Sequence, residues 1–502
     1  MTLQTPPAES SASTGRLAGT LLPEAQRIAQ QPGVDAALGG DLRLAVDVDR
    51  AHLVMLFEQR IVPQSAALAL LAEIDELQQL DFAPLRHRPA PRGWYLMYEG
   101  YLAERLGPTV AGWLPTGRSR NDLSATLALL KLREVFRTLI TATLRLQLTL
   151  LRRAGAELTT VLPGFTHGQP ALPITLGHYL AGVAHGVDAD LERLAGLLPE
   201  LDRCPLGAGA MGGTTLPIDP DRTASLLGFT GNCPNSLAAV ASRDGIARLL
   251  ADAAVLSTRL SRVATDLRDW TGCTPPLLHL PDSLVGSSSM MPQKRNVYLL
   301  EHIQGMAAAP VGAFTTVTSG AQKTAFSNSI AVHTEGPAFA DQAIRRCADA
   351  ATLLRLLIQH AEPDPGAMRR RAEDGFTNAT ELANRLALAD GRGFRAAHQE
   401  VGRAARAALE RGHGLLAEVQ LPAGLTADDF DVARIADASR YGGGPAPAEV
   451  AGSLHVLQHR LGPVLTRVRE ATGRWSGTSA RIRTAVGQTR LAIGNNTTEG
   501  SR

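Results

Sequence analysis

Apolar residues recur at helical spacing along most of the chain, and four stretches of this pattern are unusually long. They cover residues 122–162, 174–198, 236–270 and 297–317. An ordinary helix has about 11–12 residues, so each stretch predicts a helix well above that length. Long helices repeated in the middle of a chain are typical of a bundle, whose apolar faces pack against each other or against other subunits.

Shorter helical patterns flank this central region. Residues 42–114 have helical spacing with an interruption at the Pro/Arg-rich residues 84–92, and beyond about residue 362 the helices shorten while Gly and Pro increase. The pattern predicts an all-α fold in five segments: a disordered leader at 1–40, an N-terminal helical domain at 41–121, a central helical bundle at 122–361, a C-terminal helical domain at 362–493 and a polar tail at 494–502.

Composition and charge argue against several classes of partner. The 502 residues carry a formal net charge of +2, so no strong basic field predicts nucleic acid or an anionic membrane as a partner. We find no stretch of about 18 apolar residues, and residues 1–15 lack the apolar run of a secretion signal. The cysteines are far apart, without metal-ligand spacing, which predicts reduced thiols in a cytoplasmic protein. They are Cys204, Cys233, Cys273 and Cys347.

Three loops between the long helices are rich in Gly, Ser, Thr and Pro. We name them loop 1 (residues 116–124), loop 2 (163–173) and loop 3 (281–296). Loops carried by a rigid scaffold are where chemistry usually lies. Loop 3 contains Gly-Ser-Ser-Ser-Met-Met-Pro-Gln-Lys-Arg-Asn at 286–296, whose hydroxyl, ammonium and amide groups can hold a carboxylate. By composition alone, a solvated surface loop with a basic pair explains this run equally well.

The run at 286–296 resembles the signature of the fumarase/aspartase superfamily, Gly-Ser-Ser-x-Met-Pro-x-Lys-x-Asn. Its Met-Pro-Gln-Lys form is most similar to the argininosuccinate lyase family. Other segments agree in the same order, and the resemblance covers roughly residues 41–462. These segments are Thr-Gly-Arg-Ser-Arg-Asn-Asp at 116–122, Gly-Phe-Thr-His-Gly-Gln-Pro at 164–170, the Gly-rich run at 205–219, Phe-Arg-Ala-Ala-His at 394–398 and Gly-Gly at 442–443.

The resemblance implies a homotetramer with a central bundle of about twenty helices, and active sites that are each built from three subunits. It also implies elimination without a metal or an organic cofactor. Ser288, six residues before Lys294, corresponds to the catalytic serine. Because Gly286 lies one position earlier than in the signature, Ser287 and Ser289 remain alternatives for the base.

The acid side and the substrate contacts also follow from the resemblance. Glu301 corresponds to the carboxylate that pairs with the histidine of loop 2, which is His167 here. Without the surrounding motif, we would interpret His167 as a buried structural histidine that caps the next helix. Arg118 and Arg120 can both be surface charges or form interhelical ion pairs. Alternatively, one of them binds a substrate carboxylate by a bidentate contact, and we favour Arg120 for this role. The expected substrate-binding residues are Ser119, Arg120, Asn121, Thr166, Ser289, Lys294, Asn296 and Asn328.

These residue types suit the elimination of an amine from a succinyl group. Removal of a proton next to a carboxylate creates a dianionic aci-carboxylate, so the site must stabilise growing negative charge on oxygen. A seryl oxygen is a poor base unless it is desolvated and surrounded by positive or hydrogen-bonding groups. Histidine titrates near neutrality, and a carboxylate partner fixes its tautomer, which suits His167 and Glu301 to the acid side.

The departures from the family pattern fall on the side of the leaving amine. The family's Asp-Ile-His is replaced by Gly-Trp-Tyr at 93–95, a histidine before loop 1 is Pro115, and the proline after Asn296 is Val297. An expected tyrosine, glutamine and lysine are replaced by Ser327, Val332 and Glu335. The loss of polar side chains that would hold the leaving group should change the substrate specificity of the enzyme.

We therefore expect a carbon–nitrogen lyase that releases fumarate from an N-substituted aspartate, either argininosuccinate or an analogue, and the departures from the pattern favour an analogue. Two alternatives remain. One is addition of an amine to fumarate in the reverse direction, and the other is a catalytically silent structural or binding homologue. The retained set of Ser288, His167, Lys294, Asn296 and Glu301 argues against the silent homologue. The expected partners are a dicarboxylate substrate and further copies of this chain.

Overall fold

The computed structural model describes residues 20–389, 391 and 393–499. The first part contains α1 (Pro23–Ala29), α2 (Gln31–Ala36), α3 (Leu42–Glu58), α4 (Gln64–Gln79), α5 (Trp94–Leu106) and α6 (Pro108–Ala111). Residues 23–40, predicted as part of a disordered leader, are instead helical. Helices α1 and α2 each have a proline in the first turn, where its missing N–H costs nothing, and Val34 and Ala37 are buried. Residues 1–19 of the predicted leader lie outside the described residues.

The central part contains most of the long helices. Its elements are α7 (Arg120–Ala156), β1 (Val161–Thr166), β2 (Gln169–Thr175), α8 (Leu176–Gly196), α9 (Leu198–Leu201), β3 (Arg203–Cys204), α10 (Pro220–Leu226), β4 (Gly231–Asn232), α11 (Ser236–Ala241), α12 (Asp244–Gly272), β5 (Leu278–His279), α13 (Tyr298–Met306), α14 (Ala308–Ala321) and α15 (Ala340–His360). Helices α7, α8, α12, α14 and α15 pack into one aliphatic core. The predicted all-α bundle is confirmed.

One predicted helix ends earlier than its apolar pattern suggests, and another divides into two helices. Helix α7 stops at Ala156, not at residue 162, and loop 2 forms an antiparallel hairpin of β1 and β2. Prolines within 163–173 cannot continue a helix, but they leave enough N–H groups for a two-stranded ladder. The stretch at 236–270 divides at Ser242, whose extended backbone ends α11 and whose hydroxyl accepts the N–H of Asp244, the first residue of α12.

The last part contains β6 (Glu362–Pro363), α16 (Pro365–Asp374), α17 (Ala379–Ala389), α18 (Phe394–Arg411), α19 (Val432–Ala438), α20 (Pro447–Ser476) and α21 (Thr478–Glu499). A separate small core joins α17 and α18 with Phe430. Against expectation, α20 is 30 residues long. Its apolar residues recur every three or four positions, so it packs into the central core, while α21 packs against α3.

These packings place loop 1 at the start of the long helix α7, loop 3 before the nine-residue helix α13, and loop 2 in the hairpin of β1 and β2. The segment predicted as a polar tail, 494–502, is helical as far as Glu499, because α21 continues through it. Among the described residues, we find no helix whose length and apolar content would let it cross a membrane.

Candidate active site

Loop 1 begins helix α7 through a reciprocal cap. The Ser119 hydroxyl accepts the N–H of Asn121 at 3.3 Å, and the Asp122 carboxylate accepts the N–H of Ser119 at 2.9 Å. The second oxygen of Asp122 accepts N–H groups from Gly207 and Gly209 at 3.0 and 2.9 Å. Burial raises the pKa of Asp122, while these backbone donors act in the opposite direction. One buried carboxylate therefore fixes loop 1 against the Gly-rich run at 205–219.

We predict that Asp122→Ala destabilises the folded protein. The substitution leaves three buried or part-buried backbone N–H groups without an acceptor, which should lower the free energy of unfolding by about 3 kcal/mol. Denaturant unfolding of the full-length chain measures this loss. Glu449→Ala is the matched control, because Glu449 also lies in the first turn of a helix but is exposed, and we expect less than about 1 kcal/mol there. Equal stability of the two variants would contradict the assigned role of Asp122.

The two arginines of loop 1 differ in their surroundings. The side chain of Arg118 is only 2% exposed, and its guanidinium donates to Asp49 at 2.5 Å and to the Tyr95 hydroxyl. Arg120 is exposed and makes no hydrogen bond or ion pair with another described residue. Arg118 therefore forms a structural ion pair below loop 1, whereas Arg120 is free to reach a ligand.

A buried histidine also supports loop 1. Burial and the nearby charge of Arg118 lower the pKa of His52 to about 3, so the ring is neutral at ordinary pH. Its Nε2–H donates to the carbonyl oxygen of Thr116 at 2.8 Å. Together with Asp49, His52 connects helix α3 to the loop from which Arg120 and Asn121 extend.

Two predicted site residues that are far apart in the chain meet directly. The Asn328 amide donates to Asn121 Oδ1 at 2.7 Å, and the Asn121 amide donates to the Ala210 carbonyl oxygen at 3.0 Å. Asn328 lies between α14 and a π-helical turn at Ala331–Glu335, an element often found at functional sites. The segment that departs most from the family pattern thus lies against loop 1.

The hairpin of loop 2 presents His167 at its tip. His167 and Gly168 both have positive φ, 53° and 75°, as a two-residue type I′ turn requires. Thr166 and Gln169 pair across this turn. The His167 side chain is exposed and has no hydrogen-bond or ion-pair partner among the described residues. The interpretation of His167 as a buried helix-capping residue is therefore wrong.

Loop 3 is closed at its base by a short bridge. Gly286 and Asn296 exchange two backbone hydrogen bonds of 2.8 Å, and a Cβ at residue 286 would approach the Tyr298 ring to 2.8 Å, so any larger residue there would have to displace that ring. Inside the loop, the Ser288 hydroxyl oxygen accepts the backbone N–H groups of Met290 and Met291 at 3.3 and 3.0 Å. No backbone N–H group of a described residue donates to the hydroxyl of Ser287 or Ser289.

The charged side chains of loop 3 are also held differently. Arg295 contacts the Asp282 carboxylate and donates to the carbonyl oxygen of Leu280 at 2.7 Å. Lys294 is exposed without a hydrogen-bond or ion-pair partner in the described part of the chain, and so is Glu301 in the first turn of α13. The Asn296 amide donates to the Ser287 carbonyl oxygen at 3.2 Å.

Within one chain, these residues form three separate groups. Loop 1 joins Asn328, loop 3 carries Ser288 with Ser289, Lys294, Asn296 and Glu301, and the hairpin carries Thr166 with His167. No hydrogen bond or ion pair between described residues connects one group to another, and none joins His167 to Glu301. The sequence reasoning missed Asp122, although its spacing from Ser119 is that of a capping box.

Comparisons with known proteins agree on one enzyme family. Residues 69–312 match the family model described as Lyase, and residues 376–436 match the model described as Argininosuccinate lyase C-terminal. Argininosuccinate lyase 1 of Shouchella clausii is 31% identical over 447 residues, which cover 86% of this chain and 90% of that protein. Argininosuccinate lyase of Halorhodospira halophila is 34% identical over 442 residues, covering 85% and 94%.

A solved structure extends the similarity to the fold. The crystal structure of EDDS lyase in complex with formate superposes with a TM-score of 0.83 at 28% sequence identity, covering 95% of this chain and 97% of that one. The similarity therefore includes the N-terminal part, the central bundle and the C-terminal part together.

Proposed function

The chain is a carbon–nitrogen lyase that belongs to the argininosuccinate lyase branch of the fumarase/aspartase superfamily, and from this premise we propose its substrate, catalytic residues and assembly. The substrate is an N-substituted aspartate. A base removes the proton from the carbon next to the distal carboxylate, the C–N bond breaks, and fumarate leaves with an amine or a guanidine. The departing nitrogen takes a proton from the acid side of the site.

The single observation that carries the assignment of the base is the pair of N–H groups directed at Ser288. Hydrogen bonds from Met290 and Met291 to the hydroxyl oxygen stabilise the charged form of that oxygen, which makes the serine more acidic. Ser287 and Ser289 lack these donors. Of the three adjacent serines, Ser288 is therefore the one whose oxyanion the backbone favours, and we assign it as the base.

Lys294 is the main donor to the developing dianion in this proposal. The positively charged Lys294 precedes Asn296 by two residues. In contrast to Arg295, Lys294 has no carboxylate partner among the described residues. An unpaired ammonium can contribute its full charge to the aci-carboxylate as the proton leaves. Ser119, Arg120, Asn121, Thr166, Ser289, Asn296 and Asn328 complete the proposed substrate contacts.

We further propose that neighbouring subunits of a homotetramer bring the three groups together. His167 lies at an exposed hairpin tip, and Glu301 lies on an exposed helix turn without a hydrogen-bond or ion-pair partner among the described residues of its own chain. A histidine that acts as acid needs a carboxylate to orient it, so Glu301 of a second subunit would supply what His167 lacks. We place the enzyme in the cytoplasm, as its reduced thiols suggest.

The altered residues at 325–335 lead us to propose a leaving group other than the arginine of argininosuccinate. Purified protein is incubated with argininosuccinate and with a panel of N-substituted aspartates, and release of fumarate is followed by its ultraviolet absorbance. We expect turnover of at least one panel member and at most weak turnover of argininosuccinate. Efficient cleavage of argininosuccinate would overturn the altered leaving group, and absence of fumarate from every substrate would overturn the proposed function.

The reverse reaction uses the same site, because one transition state serves both directions. Fumarate mixed with a suitable amine should therefore yield the N-substituted aspartate, and this gives a second assay when a substrate cannot be prepared.

A further inference from the structure

Two long helices border an open hollow whose lining carries several positive charges. Helices α7 and α15 run parallel, because Arg345 of α15 pairs with Glu134 at 3.4 Å and Arg153 donates to the Ala361 carbonyl oxygen at 2.9 Å. Between these two contacts, the helices border a hollow of about 300 Å³. Its lining consists of Arg145, Leu148, Thr149, Arg152, Arg355 and Gln359. Three arginines from two helices therefore share one space, which we name the arginine hollow.

The positive charges of the arginine hollow are not balanced by carboxylates. None of Arg145, Arg152 and Arg355 forms an ion pair with a described Asp or Glu, and the lining itself contains no acidic residue. Arg145 and Arg152 are seven positions apart, which is about two turns, so they lie on the same side of α7. Asp349 lines a neighbouring hollow of about 280 Å³ that shares Arg145. The arginine hollow thus concentrates positive charge in a chain whose formal net charge is only +2.

The neutral polar groups of the lining add further hydrogen-bond donors. Arg355 Nη1 donates to Gln359 Oε1 at 2.8 Å, which leaves the NH₂ group of this amide to donate elsewhere. Thr149 is only 7% exposed, yet its hydroxyl makes no hydrogen bond with a described residue. The hydroxyl of Thr143, on the same helix, instead donates to the Leu139 carbonyl oxygen at 2.8 Å. A largely buried hydroxyl without a partner is costly, and a ligand in the hollow would satisfy it.

We propose that the arginine hollow binds an anion with two or more linked phosphate groups. Guanidinium groups bind phosphate oxygens by pairs of parallel N–H bonds, and ionised phosphate oxygens accept hydrogen bonds without donating them. A lining of donors without carboxylates suits such a ligand, and three positive charges match a diphosphate or triphosphate better than a single carboxylate. Small-molecule sites have volumes of about 300–1,000 Å³, so this hollow admits a short phosphate chain and leaves any larger attached group outside.

The arginine hollow is separate from the candidate active-site groups of its own chain. It shares no residue with them, and Arg145 follows Arg120 by 25 positions on the continuous helix α7. At 1.5 Å per residue, this spacing corresponds to about 37 Å along the helix. The inference therefore goes beyond the proposed function, and the failure of either one leaves the other unaffected.

The test measures binding of sodium tripolyphosphate to the full-length protein by isothermal titration calorimetry. The ionic strength is held at about 0.15 M, where diffuse attraction between exposed charges is largely screened. Arg145→Met and Arg152→Met each remove one charge, and Thr149→Val replaces the hydroxyl with a methyl group. Arg346→Met is the matched control, because Arg346 is exposed on α15 but does not line the hollow. Thermal unfolding without ligand checks that each variant is folded.

We expect the wild type and Arg346→Met to bind tripolyphosphate equally well, and orthophosphate at least about tenfold more weakly. Arg145→Met and Arg152→Met should each weaken the binding of tripolyphosphate by about tenfold to a hundredfold, because each removes a charge-assisted hydrogen bond. Thr149→Val should weaken it by about threefold to tenfold. No binding to the wild type, or equal affinities of Arg145→Met, Arg152→Met and Arg346→Met, would overturn the inference.

Two further anions in the same titrations define the ligand class. Citrate carries three carboxylates, and citrate that binds as tightly as tripolyphosphate would overturn the assignment to phosphates. ATP distinguishes two sources of linked phosphates. Tighter binding of ATP than of tripolyphosphate would identify a nucleotide as the ligand, and equal or weaker binding would identify an inorganic polyphosphate. Both of these results support the inference, provided that Arg145→Met and Arg152→Met weaken the binding.

Discussion

Ser288→Ala should reduce kcat for fumarate release by about 10²–10⁴-fold and leave KM nearly unchanged. The alanine removes the one oxygen in loop 3 that two backbone N–H groups stabilise as an anion. Steady-state assays of fumarate absorbance measure the effect. The change removes only one hydroxyl group from an exposed loop. The midpoint temperature of thermal unfolding should therefore be the same as that of the wild type.

Two neighbouring residues provide matched controls for this result. Ser287→Ala and Ser289→Ala remove the same atom from adjacent positions that lack the backbone donors. Ser287→Ala should retain most of the activity, and Ser289→Ala should mainly raise KM if Ser289 contacts the substrate. A kcat that falls further in either of these variants than in Ser288→Ala would reassign the base.

Lys294→Met should lower kcat by about 10²–10³-fold, because it removes a preorganised positive charge from the site where negative charge develops. Methionine keeps an unbranched side chain of similar length, so the change is one of charge. The same assay measures the loss. Arg295→Met is the control, since Arg295 is already bound to Asp282 and Leu280.

We expect Arg295→Met to retain activity within about tenfold of the wild type. Any decrease would come from the lost contacts of Arg295 with Asp282 and Leu280, which help to hold loop 3 in place. If Lys294→Met and Arg295→Met lost activity equally, the charge of Lys294 would have no special role. A loss confined to KM would instead assign Lys294 to uniform substrate binding.

The helices of the bundle could be predicted from the sequence because their apolar spacing is a local property. The hairpin at 161–175 could not, since its prolines read as loop signals and the pairing of Val161 with Thr175 is a contact between distant positions. The same limit applies to α20. Its apolar stripe predicts a helix, but nothing local shows that it returns to pack against α8.

The candidate residues themselves could be predicted by resemblance, but not their surroundings. In the sequence, Arg118 and Arg120 are two arginines that cannot be told apart. Only the fold shows that Arg118 forms an ion pair with Asp49, which is 69 residues away in the chain. Likewise, the three serines of loop 3 are distinguished by backbone N–H groups whose direction depends on the closed bridge between Gly286 and Asn296.

The measurement that tests the account most directly is activity in mixed oligomers. Ser288→Ala and His167→Asn chains, each with its own affinity tag, are co-expressed, and particles that carry both tags are isolated. If each site takes the base from one subunit and the histidine from another, some sites in these particles contain both intact residues. We predict turnover at least about tenfold above that of either parental variant. Doubly tagged particles no more active than their parents would contradict the shared site.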